Sequence, residues 1–175
     1  MRLPEIFFER KTLKVAKDLL GCFLVRKISG RKIIGCIIET EAYCGPEDLA
    51  NHASRGRTKR TEVMFGPAGQ AYIYLIYGIY HCLNIVTGKK DTPEAVLIRA
   101  LEYENSDGPG KLCRAFGLSR SHNGLDLKKG PIYIEDRGVK IPKNQILKTP
   151  RIGVAYAGSF AKKPWRFLIK DAKLS

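Results

Sequence analysis

The stretch from Ala71 to Val86, AYIYLIYGIYHCLNIV, restricts the architecture more than any other part of this chain. Tyr72 and Tyr74 fall on one face of an extended strand and Ile73 and Leu75 on the other, because side chains alternate across a strand. Tyr77-Gly78 supplies a reversal, since glycine accepts the backbone angles a tight turn demands. The chain then runs on as a second apolar strand to Val86. The expected product is a hairpin with tyrosines along one face and Tyr77 at its tip. Aromatic residues favour strands in any core, so the hairpin constrains the fold first, and the function only together with the rest of the chain.

Around this hairpin the pattern predicts a mixed α/β (α+β) domain spanning residues 1–175. Thr12 can cap a helix running to Leu20, with Leu13, Ala16, Leu19 and Leu20 on one face and Gly21 ending it. Cys22 to Ile28 reads as a strand, Ser29-Gly30 as a turn, and Lys32 to Thr40 as the returning strand. Ala95 to Ala100 is a short buried strand interrupted by Arg99, and Leu112 to Phe116 a short helix closed by Gly117. Pro131 to Glu135 reads as a strand and Lys140 to Thr149 as a loop. Arg151 to Val154 and Trp165 to Ile169 read as closing strands. With 175 residues, 44% of them apolar, the chain can bury a sizeable core in one domain.

Charge narrows the partners. Lysine and arginine number 31 against 17 acidic residues, a net charge of +14, which suits a polyanion and points first to DNA or RNA. No run approaches the ~18 to 20 apolar residues of a membrane span, and the N-terminus lacks a signal-peptide pattern. A cytoplasmic location is therefore expected. Cys22, Cys36, Cys44, Cys82 and Cys113 are odd in number and scattered in spacing, so they read as packing residues rather than disulfides. His52, His81 and His122 have no zinc spacing. No metal and no cofactor are expected.

Four further stretches carry candidate chemistry. The sequence Glu39-Thr40-Glu41-Ala42-Tyr43 empties an apolar strand into the turn Cys44-Gly45-Pro46-Glu47-Asp48, and a rigid strand beside an open loop is a sound way to hold a reactive carboxylate. Asn51 to Arg60, NHASRGRTKR, interleaves Arg55, Arg57, Lys59 and Arg60 with small polar residues, which suits phosphate contacts from backbone and side chains. Arg99 sits in an apolar run and needs a partner such as Glu41. Gly108-Pro109-Gly110-Lys111 is no nucleotide phosphate loop, because Asn105 and Leu112 break that motif, yet it suits a DNA phosphate clamp.

Taken in order, ETEAY with GPED, His52, the arginine-rich loop, YIYLIYG with Asn84, LIRA with Arg99, GPGKLC, RIGVAYAG and KKPWRF resemble alkyladenine (3-methyladenine) DNA glycosylases of the compact bacterial type. The resemblance runs from about Leu13 to Ile169. It implies a curved, mainly antiparallel sheet flanked by helices, similar to the domain at the C-terminus of methionyl-tRNA formyltransferase. It also implies a monomer that flips alkylated or deaminated purines out of duplex DNA and hydrolyses their glycosidic bond in base excision repair, without metal or cofactor. By the same resemblance Glu41 is the general base and Arg99 positions the water with it. Ile152 adds a main-chain carbonyl, and Tyr43, His52 and Tyr74 enclose the base. Asn84 shapes the pocket floor, Tyr77 is the wedge, and Arg57, Lys59, Arg60 and Lys111 meet the backbone. The basic loop is one residue shorter than in the vertebrate pattern, which leaves open which of its residues touch phosphate.

These residue types suit that chemistry. Extruding a nucleotide costs a few kcal/mol, and an aromatic wedge restores ~1 to 3 kcal/mol of stacking. An alkylated purine is often cationic, and an aromatic cage favours it by ~0.5 to 2 kcal/mol per contact. What remains is a base for the water and negative charge beside a cationic sugar, both of which one glutamate can supply. The pocket motifs hold no lysine for a Schiff base, so the expected product is an abasic site. The rival readings are a non-catalytic basic module binding RNA through the tyrosine face, and a tRNA-modifying or formyltransferase-like enzyme.

Overall fold

A computed structural model describes residues 1–172. Among these residues eight strands join in one sheet: β1 (Phe23–Ile28), β2 (Arg31–Cys44), β3 (Ala71–Ile76), β4 (Tyr80–Val86), β5 (Glu94–Glu102), β6 (Ile132–Glu135), β7 (Ile146–Thr149) and β8 (Arg166–Ile169). The helices are α1 (Glu5–Phe8), α2 (Thr12–Asp18) and α3 (Pro109–Ala115), with several 3-10 turns between elements. Every strand pair is antiparallel. The spatial order is β3-β4-β5-β2-β1-β6, with β8 pairing both β2 and β7. This is the expected mixed α/β domain with a curled antiparallel sheet.

Strand β2 is the pivot. Its first half, Arg31 to Cys36, pairs with β1. Farther along, β8 takes over the same edge at Glu39–Glu41, while β5 follows the opposite edge from Cys36 to Cys44. The β2–β5 register slips between Ile37 and Glu39 and again between Glu39 and Thr40, an irregularity of the kind that bends a sheet and re-aims side chains. Below this point Thr40 donates its hydroxyl to the Ala16 carbonyl of α2 at 2.8 Å. With only seven residues, α2 would not persist alone; it is held by Val15, Ala16 and Leu19, packed in the main core with Ile37, Ile98, Leu101, Phe116 and Phe167. Each large apolar side chain buried there contributes ~1.5 to 3 kcal/mol, which keeps β2 and β5 fixed under the site.

Several local expectations change. Thr12 does not cap α2: Lys11 occupies that position without a side-chain cap, and the buried Thr12 hydroxyl turns to Thr87 and Glu94 instead. Gly21, at φ +85°, ends the segment as expected. Strand β2 continues past Thr40 to Cys44, because β5 and β8 pair with the added residues; Glu41 and Tyr43 therefore lie in the sheet and not in the loop beyond it. The expected loop at Lys140 to Thr149 contains β7, recruited by β8. Arg151 to Val154 is irregular, not a strand: the Ile152 amide bonds a side chain, and Gly153 adopts φ +73°. The hairpin forms as expected, β3 and β4 joined through Tyr77, Gly78 and Ile79. All five cysteines are free thiols. No described helix is long and apolar enough to cross a membrane.

Candidate active site

Because Thr40 faces α2, its neighbours Glu39 and Glu41 project to the other side of β2, where Arg99 of β5 meets them. Arg99 Nε lies 2.9 Å from Glu39 Oε1, and its Nη1 lies 3.5 Å from Glu41 Oε1. Glu39 also accepts from Arg166 Nε at 2.5 Å. The nearer partner of Arg99 is thus Glu39, and Glu41 is the second. Glu41 is completely buried. Its Oε1 accepts the Ile152 amide N–H at 2.9 Å and its Oε2 accepts the Tyr43 hydroxyl at 2.8 Å. Ile152 therefore touches Glu41 through its N–H.

Arg99 is not the main influence on this carboxylate. Burial pushes its pKa above the ordinary glutamate value; Arg99, the Ile152 amide and Tyr43 pull it back only in part. A buried acid with its pKa raised, facing a cavity, has the surroundings general bases are given.

Glu41 opens into a cavity of about 130 Å³. Its walls include Tyr43, His52, Tyr72, Tyr74, Asn84, Arg99 and Ile152. His52 and Tyr74 meet edge to face, ring centroids 4.4 Å apart, and Tyr72 and Tyr74 lie 5.4 Å apart. The Tyr72 hydroxyl and His52 Nδ1 are 3.2 Å apart. Burial and then Arg60 push the His52 pKa down to about 4, so its ring is neutral at pH 7. Asn84 is buried opposite Tyr72 and donates to the Tyr72 carbonyl at 3.3 Å. The structure thus brings together Glu41, Arg99, Tyr43, His52, Tyr74, Asn84 and Ile152.

Tyr77 stands at the mouth, 86% exposed, with φ +52°. Ile79 beside it is also exposed. Lys59 and Arg60 border a depression with Tyr74, Leu75 and Arg120, and Arg60 lies 5.3 Å over the Tyr74 ring. A second depression joins Arg55 and Arg60 to His52 and Tyr156. Arg57 instead pairs at the surface with Asp91 at 2.7 Å and Glu62 at 3.1 Å, and lies over Phe65. Lys111 sits in α3, pairs with Asp107 at 2.9 Å and does not reach the cavity, whereas its neighbour Pro109 does.

Sequence reasoning missed Tyr72, Met64 and Tyr156 as lining residues. Tyr72 could have been found, since it shares a strand face with Tyr74. Tyr156 could not, because it lies just past Arg151 to Val154, which read as a strand, in a 3-10 turn that no sequence pattern marked.

Comparison with known proteins converges on one group. The model of the methylpurine-DNA glycosylase (MPG) family matches residues 6–173. A Myxococcus xanthus protein is 47% identical over 178 residues, covering 98% of this chain and 91% of its own. One from Legionella pneumophila (strain Lens) is 49% identical, covering 97% and 95%, and one from Bacillus cereus is 43% identical, covering 97% and 96%. Each of the three bears the name "Putative 3-methyladenine DNA glycosylase".

Proposed function

The chain belongs to the methylpurine-DNA glycosylase family, and on that premise we propose that it acts on duplex DNA containing damaged purines, flips the nucleotide into the aromatic cavity, and cleaves its glycosidic bond with a water activated by Glu41. The observation that carries this reading is the Glu41 carboxylate: wholly buried, each oxygen held by a donor, and open only to a cavity walled by Tyr43, Tyr74 and neutral His52.

The chemistry follows from those surroundings. With the base seated against Tyr43 and Tyr74, Glu41 takes a proton from the water that attacks C1′ of the deoxyribose. Its negative charge stabilises the sugar as positive charge develops there. Arg99, the Ile152 N–H and the Tyr43 hydroxyl keep the carboxylate oriented, so little reorganisation is needed as the bond breaks. A neutral His52 leaves a cationic purine unrepelled, and the aromatic faces attract it. Tyr77 fills the gap left in the duplex.

Among the described residues no lysine lines the cavity, which supports simple hydrolysis to an abasic site over a Schiff-base route. The chain acts as a monomer in this reading. The test is incubation with a duplex carrying a single 1,N6-ethenoadenine or hypoxanthine, followed by alkali to cut abasic sites. Lesion-dependent strand cleavage after alkali is expected. Cleavage before alkali would replace hydrolysis with a lyase mechanism, and binding without any cleavage would favour a non-catalytic nucleic-acid module.

A further inference from the structure

Behind the cavity lies a second, fully buried ion pair that the chemistry above does not use. Asp48 belongs to the turn after β2, and Arg151 immediately precedes Ile152. Both side chains are completely buried. Arg151 Nη1 donates to Asp48 Oδ2 at 2.6 Å, and its Nη2 donates to Asp48 Oδ1 at 2.8 Å. The same guanidinium donates to the Ala42 carbonyl at 2.9 Å and the Phe160 carbonyl at 3.3 Å. It also lies 4.8 Å from the Tyr43 ring and 5.1 Å from the Trp165 ring. Asp48 in turn accepts the Cys44 and Ala50 amides, each at 3.1 Å.

We propose that the Asp48–Arg151 pair is a positioning device that holds the Ile152 N–H on the Glu41 carboxylate. This rests on the catalytic reading of Glu41. Three segments converge on that acid: β2 itself, the turn that follows it, and the irregular loop 151–154. Arg151 bonds the backbone of the residue after Glu41, the side chain of the turn, and the loop's continuation at Phe160. Its own backbone delivers the amide of the next residue to Glu41 Oε1. No strand ladder fixes that loop, so the planar fork of the guanidinium sets its position. A buried pair of this kind adds little to stability compared with an apolar replacement of the same shape. What it adds is geometry, because four N–H bonds from the two terminal nitrogens of one rigid plane specify where three segments sit.

The Ile152 N–H also favours the charged form of Glu41. Letting the loop drift removes that bond, so the Glu41 pKa rises further and the acid limb of the excision profile moves to higher pH. A purely structural salt bridge has no such effect.

The experiment is single-turnover excision at saturating enzyme across a pH series, on a duplex carrying one hypoxanthine, with a binding titration on the same DNA. Under these conditions the rate constant does not depend on the fraction of enzyme folded, so partial unfolding of a variant does not obscure it. The variants are Arg151→Lys, which keeps charge and stem but loses the fork, and Asp48→Asn. Both are expected to slow excision by ~10- to 100-fold, as small misplacements of catalytic groups do, with affinity unchanged; Arg151→Lys, which conserves the charge, also moves the acid limb upward. Thr40→Val serves as the stability control. It loses the buried bond to Ala16 on the far face of β2, and its acid limb should stay in place. An unmoved acid limb in Arg151→Lys, or an unslowed Asp48→Asn, overturns the proposal. Activity retained by Glu41→Gln overturns the catalytic reading itself, and the two failures are thereby distinct.

Discussion

Glu41 and Tyr77 border the same cavity in opposite surroundings. Glu41 lies within β2, flanked by β5 and β8, with no exposed surface and a donor on each oxygen. Tyr77 is 86% exposed on a three-residue turn, in a backbone conformation that non-glycine residues seldom adopt. On the proposed reading the contrast separates two tasks. Chemistry at a sugar needs a charge that is dry and fixed, so it is lodged in the core. Capture of a base within a duplex needs reach, so the probing ring is placed where the protein offers it nothing to pack against. Backbone strain of ~1 to 3 kcal/mol at such a position marks a functional site more often than a packing one.

The largest effect is expected at the floor. Glu41→Gln should nearly abolish single-turnover excision and leave lesion binding largely intact. Loss of a general base typically costs ~10²- to 10⁴-fold in rate, and lost charge stabilisation adds to that. The same substitution should raise the melting temperature at pH 7. Burial lifts the folded pKa of Glu41 above its unfolded value. Its contribution is therefore favourable only below the unfolded pKa and is lost as pH rises through the folded one, so an ionised Glu41 weakens the fold at neutrality. Glutamine keeps the size and can accept the Ile152 N–H with its oxygen while its NH2 donates to the Tyr43 hydroxyl, without that charge. Calorimetry at pH 7 beside the rate measurement checks both halves; an active Glu41→Gln, or a less stable one, breaks the contrast at its buried end.

Next in size is the dependence of DNA affinity on salt. The net charge of +14 and the basic residues around the mouth should give a log–log slope of roughly −4 to −5 if about five phosphates are neutralised. Fluorescence anisotropy from low to physiological salt measures it. A flat response would remove electrostatics from the rim.

Smaller is the wedge. Tyr77→Ser should cost about one base–aromatic stack, ~1 to 3 kcal/mol, and should do so selectively. Excision from a matched duplex should fall more than excision of the same lesion in a bulge, where the base is already unstacked. Equal losses on both substrates would show that Tyr77 takes no part in extrusion.

The same division explains what could be read before the fold was known. The hairpin was legible because alternating tyrosines and a Tyr-Gly reversal specify strands and turn locally. Glu41 and Arg99 were legible as neighbours because charges in apolar runs need partners. Thr12 misled because a local capping rule lost to a long-range bond with Thr87. The loop 151–154 misled for the same cause: its apolar pattern suggested a strand, but its partners are the side chains of Glu41 and Asp48, remote in sequence. The direction of the Glu41 shift was equally hidden, since it depends on how deeply β5 and β8 enclose β2, which no spacing reveals.

The finest distinction falls within the basic loop, where sequence treated Arg57, Lys59 and Arg60 alike. Arg57 already spends its charge on Asp91 and Glu62 and its face on Phe65. Among the described residues Lys59 and Arg60 have no carboxylate partner, and both border the depression beside Tyr74. Binding DNA through Arg57 would require breaking two ion pairs, each exposed and individually weak, and would leave two carboxylates facing the phosphates. Arg57→Gln should therefore leave the salt slope nearly unchanged, whereas Lys59→Gln and Arg60→Gln should each reduce its magnitude by about one. Salt titrations of the three variants on one lesion duplex decide the matter. If Arg57→Gln changes the slope as much as Lys59→Gln, the ion pairs open on binding, and the rim is remodelled by DNA in a way that the buried floor is not.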